Sequence, residues 1–279
     1  MGKFPALHRL LLREGYIRHS DVLVPREADW SDLLLVHSND YLHHLAHGSL
    51  GRKQVRKMGL PWSPSLVRRS RLAVQGTINA ALAALIDGIA ANLAGGTHHA
   101  FPAYGSGFCV LNDVAVATRV LLRSHWIRRA FILDLDVHQG DGTAAIFRDD
   151  ERVYTLSMHG AKNFPFLKER SSLDLALQDD ASNAEYLALL SRHLSPALDS
   201  FQPDIVFYLA GIDVVAGDRF GRIRLTREGL EERERVVLET CHRKNIPIVL
   251  LLSGGYAETP EHTADLHAVA HRVARAYYS

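Results

Sequence analysis

The sequence predicts an α/β domain with a mostly parallel sheet covered by helices. Two observations predict it. Short apolar runs rich in β-branched residues alternate with longer helical patterns. The residues capable of chemistry cluster just after the apolar runs, at the strand ends where open α/β sheets bind ligands. No repeat, low-complexity tract or Pro/Gly/Ser linker divides the 279 residues, so a single domain over 1–279 is expected.

In chain order, the first apolar run predicts a strand over 33–36, followed by a helix over 40–47 and a long loop over 48–64. Ser63 and Pro64 make a helix start, and the pattern carries that helix over 65–86. A strand over 89–93 leads into a loop over 95–111 and a helix over 112–122. The apolar run 130–135 is a buried strand, with a short helix over 143–147 and a strand over 153–157 after it. A loop over 159–182 precedes a helix over 183–200 and a strand over 205–210. The loop 210–224 ends at Thr226, which with Glu228 and Gly229 opens a helix over 226–244. A strand over 248–252 and a helix over 261–277 complete the chain.

Composition narrows the class. A formal charge of +1 gives no bulk attraction to nucleic acid or to an anionic membrane, and neither is expected as a partner. Only Cys109 and Cys241 occur, too few for a disulfide framework or a thiolate zinc site. No apolar stretch approaches the ~20 residues needed to span a bilayer. A cytoplasmic protein is expected. Sixteen histidines is a high count, and several lie in the segments that carry chemistry.

Asp134-Leu-Asp-Val-His-Gln-Gly-Asp141 follows the buried strand directly. Strand alternation sends Asp134, Asp136 and His138 to one face, where two carboxylates and an imidazole call for a cation. A solvated acidic loop is the alternative. Asp213 follows the strand 205–210 and supplies a third ligand. Two carboxylates and one imidazole leave a coordination position open, as in catalytic zinc sites. An ion so held lowers the pKa of water to about 7 and polarises a carbonyl.

His98 and His99 follow a Gly-Gly turn, and one of them is a candidate general base and acid, a contribution of roughly 10²–10⁴-fold. Asp134 and Asp141 are carboxylates available to fix the histidine tautomers. Tyr256 follows Gly254-Gly255, and its phenol could donate to an oxyanion, a term of about 3–4 kcal/mol. Taken singly, the histidines could be structural and the tyrosine a core cap. Together the segments describe metal-assisted hydrolysis of an amide or ester.

Gly95-Gly-Thr-His-His-Ala100, Gly107-Phe-Cys-Val-Leu-Asn-Asp113, the 134–142 segment, Ala210-Gly-Ile-Asp-Val-Val-Ala-Gly-Asp218 and Ser253-Gly-Gly-Tyr256 occur in that order. They are similar to the motifs of the zinc-dependent histone deacetylase superfamily, from about residue 3 to the C-terminus. The wording around them, including 153–159, looks most like bacterial members near the class IV branch.

The resemblance implies an arginase/deacetylase-like three-layer α/β fold with a mostly parallel eight-stranded sheet. It implies zinc at Asp136, His138 and Asp213, and His99 as general base and acid with His98 supporting transition-state charge. Asp134 and Asp141 would hold those histidines, and Tyr256 would polarise the acyl carbonyl. Gly107 and Phe108 match one tunnel wall, and Phe164 or Phe166 is the candidate for the facing one. A structural potassium ion is also implied, on the Asp134 carboxylate, Ser157, Met158 and the backbone oxygens of 134, 136 and 138.

Several positions depart from the family pattern. Relatives place a strand and a loop before the segment matching 1–11, so either the first strand is missing or the natural start lies upstream of Met1. This chain would begin inside that loop. Lys3 falls about where many members carry an arginine in an internal channel. A rim aspartate has no clear counterpart within 58–71, and Gln139 replaces a second histidine.

The expected activity is zinc-dependent removal of an acyl group, acetyl foremost, from Nε-acyl-lysine in a protein or peptide. The alternatives are deacetylation of a small acylated amine such as an acetylpolyamine, removal of a longer acyl chain, and a catalytically silent binding protein. An arginase-type dinuclear manganese site lacks the further ligands it needs, whereas iron(II) suits the same ligands as zinc. The basic residues Arg52, Lys53, Arg56, Lys57, Arg68, Arg69 and Arg71 read as a solvated helix face. The alternating charges of 231–235 read the same way. Cys109 reads as a packed small residue, and Cys241 as a helix residue without a signal.

Overall fold

The computed structural model describes residues 2–278. Its first half holds α1 (Lys3–Arg13), α2 (Trp30–Leu33), α3 (Asn39–His47), α4 (Arg52–Met58), α5 (Pro64–Asp87), β1 (Ile89–Asn92), α6 (Asp113–Arg123) and β2 (Ala130–Asp134). Its second half holds α7 (Asp141–Phe147), β3 (Val153–Gly160), β4 (Leu173–Leu177), α8 (Asn183–Phe201), β5 (Ile205–Leu209), α9 (Arg227–Arg243), β6 (Ile248–Leu251) and α10 (Pro260–Ala274). Among the described residues the sheet has six strands in the order β1-β6-β5-β2-β3-β4, every pair parallel. It is therefore smaller than the eight strands expected. Met1, the proposed start, lies outside the described residues.

The central strands are buried on both faces, which is why they read as unbroken apolar runs. Their alternation divides the core. Ala130, Ile132, Ile205, Phe207, Leu209, Val249 and Leu251 pack on one side with α5 and α6. Phe131, Leu133, Val206, Tyr208, Ile248 and Leu250 pack on the other with α8 and α9. Each such side chain contributes roughly 1.5–3 kcal/mol on burial. Ser63 accepts from Leu66 N–H and Thr226 from Gly229 N–H, capping α5 and α9 as the sequence suggests. No helix among the described residues is long and apolar enough to cross a membrane.

Four local readings change. In the expected strand 33–36, Leu33 ends α2 and residues 34–36 form turns, because Val36 and His37 donate backwards to Leu33 O instead of to a neighbouring strand. The expected loop 48–64 contains α4, and the loop 159–182 contains β4, an edge strand with only Leu175 and Leu177 buried. The N-terminal segment is a helix rather than a loop, with Ala6, Leu7, Leu10 and Leu11 turned against Ala264 and Ala268 of α10.

A fifth concerns α9. Leu230, Arg233, Glu234, Val237, Leu238 and Cys241 form its buried stripe, at the spacing of an inward helix face. Arg233 and Glu234 are thus core residues, although Glu231, Glu232 and Arg235 stay exposed or half-buried as the alternating charges imply. Arg71 also leaves the solvated basic face: it donates to Ala28 O and to Glu27 and stacks on Trp30, 4.5 Å from the ring centre. Cys109 and Cys241 are both buried.

Candidate active site

Sheet order explains why distant segments meet. β1, β6, β5 and β2 are consecutive neighbours, so the loops leaving their C-terminal ends share one edge. These loops carry His98 and His99, Ser253 to Tyr256, Asp213, and Asp134 to Asp141 respectively.

The strand expected to run to 135 ends at Asp134. Asp134 Oδ1 accepts from Asp136 N–H at 3.2 Å, and Asp136 Oδ1 accepts from His138 N–H at 2.9 Å. Carboxylates that capture the backbone two residues on turn the chain out of the ladder. Asp136 and His138 therefore sit on a bend, and the one-face alternation predicted for 134, 136 and 138 is replaced by local capping.

Asp136, His138 and Asp213 bring one ligand atom each within 4.8 Å of one another. His138 Nδ1 lies 3.0 Å from Asp136 Oδ1 and 3.2 Å from Asp213 Oδ2. Asp213 is fully buried, and its Oδ2 lacks an aligned hydrogen bond among the described residues. Its other oxygen accepts from Val137 N–H at 2.9 Å. Ser253 Oγ and Gly254 N–H fix Asp136 Oδ2 at 2.7 and 2.6 Å. Glycine is required at 254, since a Cβ there would fall on the Asp213 carboxylate. A buried set of two carboxylates and an imidazole with an unspent oxygen fits a divalent cation with N/O preference.

Charge follows burial. Burial and the Asp136 charge push Asp213 up to about 6. Burial works against the Asp136 charge too, but His98 and His138 hold that carboxyl well below its usual range.

The adjacent histidines, their rings 4.0 Å apart, take different partners. His98 Nδ1 meets Asp134 Oδ2 at 2.6 Å, and His99 Nδ1 meets Asp141 Oδ1 at 2.7 Å. Burial opposes a charge on His98, yet Asp134 and Asp136 outweigh it and lift the imidazole to about 9. Burial and the neighbouring His98 lower His99 to about 4. Near neutrality the pair therefore holds one imidazolium and one neutral imidazole, the separation that divides acid from base roles.

Around this pair stand aromatic rings. Phe164 meets His99 edge-on at 5.0 Å, whereas Phe166 is 85% exposed. Gly107 lies flat on His99, where a Cβ would collide with the imidazole, and Phe108 follows at φ 66°. Phe108 N–H donates to Met58 O, so α4 holds that ring in place. Phe220 stands 4.8 Å from Tyr256 in a T-shaped contact and 6.4 Å from Phe108. Burial and the Asp213 and Asp136 charges raise the Tyr256 phenol, keeping it a donor.

Of the remaining expected residues, Asp134 and Ser157 pair across β2 and β3, with Met158 next along β3. Ser157 Oγ is 3.0 Å from His159 Nδ1. Lys3 is half-buried beside the site: its Nζ donates to Ser253 O at 2.8 Å, and removal of the ammonium from solvent lowers it to about 8. Gln139 spends both ends of its amide on the 169–174 segment, bonding the backbone of Glu169 and the Asp174 carboxylate.

Other residues escape the sequence reading. Asp113, quoted there only as part of a motif, accepts from Gly96 and Thr97 N–H and from the Thr77 and Thr97 hydroxyls, setting the turn before His98. Asn112 donates to Ala100 O and Thr143 Oγ1. Asp218 accepts from Phe220, Gly221 and Tyr256 N–H, joining the Phe220 and Tyr256 loops. A lone acidic residue in a loop gives no such signal.

A profile of the histone deacetylase domain matches residues 1–272. An uncharacterized protein of Picosynechococcus sp. is 48% identical over 278 residues, covering 100% of this chain and 93% of that protein. Histone deacetylase 2 of Arabidopsis thaliana is 32% identical over 267 residues, 92% of this chain and 69% of the plant protein. The crystal structure of an HDAC homolog from Aquifex aeolicus superimposes with a TM-score of 0.83 at 25% identity, over 97% of this chain and 77% of that one. With the motifs in order and the match running through nearly the whole length, the chain belongs to the histone deacetylase family.

Proposed function

We infer that the protein is a zinc-dependent amidohydrolase that removes an acyl group, acetyl foremost, from Nε-acyl-lysine in a protein or peptide. The observation that carries this reading is the meeting of Asp136, His138 and Asp213 beside two histidines each bonded to its own carboxylate. Zinc held by those three residues would supply Lewis acidity toward the acyl carbonyl and acidify water.

The chain's own residues divide the rest. With Nδ1–H given to Asp141, the Nε2 lone pair of His99 accepts the proton of the attacking water and later returns it to the departing ε-amine. His98, charged on Asp134, offsets negative charge developing beside it. Tyr256 donates to the carbonyl oxygen as it gains negative charge and the carbon becomes tetrahedral. Gly107, Phe108 and Phe164 enclose the aliphatic part of the substrate and keep water from it. Asp134, Ser157 and Met158, with the backbone oxygens of 134, 136 and 138, are the positions for a structural potassium ion.

The aromatic mouth favours acyl-lysine over a polyamine. A polycation needs unspent carboxylates at the entrance, and Asp218 in the Phe220 loop is committed to three backbone N–H groups. The test is turnover of lysine peptides bearing acetyl, octanoyl or myristoyl groups, with acetylspermidine alongside, after metal stripping and zinc reloading. Zinc-dependent release from a lysine peptide, lost in Asp136→Ala, is expected. Turnover of acetylspermidine alone would transfer the reading to small amines. A protein that binds zinc yet turns over none of them would be a binding protein.

A further inference from the structure

Behind the metal ligands lies a buried charge cluster that the proposed chemistry leaves unused. Arg233 of α9 is fully buried, and Glu234 is 1% exposed. The guanidinium holds Glu234 Oε1 through Nε at 3.1 Å and Nη2 at 2.5 Å. Tyr208 of β5 donates its hydroxyl to Glu234 Oε2 at 2.7 Å, and Tyr186 of α8 lies close enough for its phenol and the guanidinium to influence each other.

The remaining arm of the arginine leaves the cluster. Nη1 donates to Gly211 O at 2.7 Å and to Leu135 O at 3.3 Å. Those carbonyls lie just past the last paired residues of the β2–β5 ladder, Asp134 and Leu209. Beyond that point the regular ladder gives way to single bonds, Leu135 N–H to Leu209 O at 3.1 Å and Val137 N–H to Asp213 Oδ1 at 2.9 Å, and the arginine adds a third link between the segments. Leu135 immediately precedes Asp136, and Gly211 stands two residues before Asp213. The segments also touch there, since a Cβ on Gly211 would collide with the Cα and carboxylate of Asp136.

We propose that Arg233 is a positioning residue for the metal centre: one guanidinium bridges the ends of β2 and β5 and fixes the separation of Asp136 and Asp213. Glu234 and Tyr208 aim the fork and balance its charge. The cation is covalently part of the chain, so the spacing is set before a metal arrives, and preorganised ligands bind more tightly than ligands that must be gathered. Arginine suits the task because its planar fork serves a carboxylate on one edge and two carbonyls from another nitrogen, which a lysine ammonium cannot do.

The inference rests on the reading of Asp136, His138 and Asp213 as a zinc site, and its test separates the two. Zinc affinity of the metal-stripped, full-length protein would be measured by competition with a chromogenic chelator, with unfolding followed in parallel. Arg233→Leu alone strands Glu234 in the core, so the informative protein is the triple variant Arg233→Met, Glu234→Leu, Tyr208→Phe. Replacing a whole buried ion pair with apolar residues generally preserves stability.

The triple variant is expected to stay folded and to bind zinc about tenfold more weakly or worse, within the range seen when groups supporting metal ligands are removed. Arg233→Lys, which keeps the charge, should bind with an intermediate affinity. Wild-type affinity in a folded triple variant, or in Arg233→Lys should the triple variant not fold, overturns the proposal. Absence of zinc binding by the unmodified protein overturns the zinc-site reading itself, and this inference with it.

Discussion

Two charged clusters share the loops after β2 and β5, and they are built oppositely. Asp136, His138 and Asp213 form an anionic set with one buried oxygen unspent, open toward the aromatic mouth. Arg233, Glu234 and Tyr208 form a closed set in which the charged groups are matched from within the chain. Burying charge costs several kcal/mol per ion unless it is paired. The closed cluster is satisfied at the moment of folding. The open cluster leaves Asp213 Oδ2 without an aligned donor and fits a divalent cation, and that difference separates a self-paired charge cluster from a candidate metal site.

The largest effect should come from the open cluster. Asp136→Ala removes a ligand and strands His138 beside a single carboxylate, so zinc binding and acyl-lysine turnover should both vanish, as metal analysis and peptide hydrolysis would record. Stripping the wild-type protein with a chelator should lower its Tm, since a ligand that binds the folded state at 1,000 times its Kd contributes about 4 kcal/mol. An unchanged Tm would show that the open cluster is as self-sufficient as the closed one.

Next come the residues proposed to act on the substrate without holding metal. His99→Ala should reduce kcat by roughly 10²–10⁴-fold with zinc still bound. Tyr256→Phe should cost about 10²–10³-fold in kcat, from a donor that acts mainly on the tetrahedral state. Equal losses in zinc content would move either residue into the metal-holding set. The Arg233 variants rank below these, with weaker metal binding but a retained reaction.

The smallest effect belongs to a buried group in neither cluster. His37 Nε2 accepts from Asn112 N–H at 3.0 Å, which leaves Nδ1–H to donate to Phe101 O at 3.1 Å. Burial lowers its pKa to about 4 from an unfolded value near 6.5. Between those values the unfolded chain binds the proton that the folded chain refuses. The contribution is therefore complete above about pH 6.5 and is lost as pH falls toward 4. His37→Phe should lower Tm at pH 7 by a few degrees and flatten its decline below pH 6.5. A decline as steep as that of the wild type would assign the acid sensitivity to other buried histidines.

Much of this was legible in the chain because two signals are local. Apolar runs marked the four central strands and, although it is an edge strand that is only partly buried, β1 as well, with the motif residues placed after most of them. Local chemistry also misled. The run 33–36 has a strand's composition but lies after a short helix whose own carbonyls take its N–H groups. Asp134 and Asp136 were read through strand alternation, yet each caps the backbone two residues on, and the strand stops. The edge strand β4 buries too few side chains to announce itself.

The sequence by itself determined the α/β class, the helix starts at Ser63 and Thr226, and which residue types gather after the strands. Those depend on periodicity, capping and composition, which act over a few residues. Only the tertiary structure decided that β1, β6, β5 and β2 are neighbours, which brings residues 98 and 256 to one edge. It alone set Phe164 edge-on against His99 and left Phe166 exposed, and it alone turned Arg233 and Glu234 inward on α9. The charges in 231–235 look solvated one by one. Their fate is set by which helix face meets the sheet: Arg233 meets the carbonyls at the ends of β2 and β5, and Glu234 turns in beside it to accept from the guanidinium and from Tyr208.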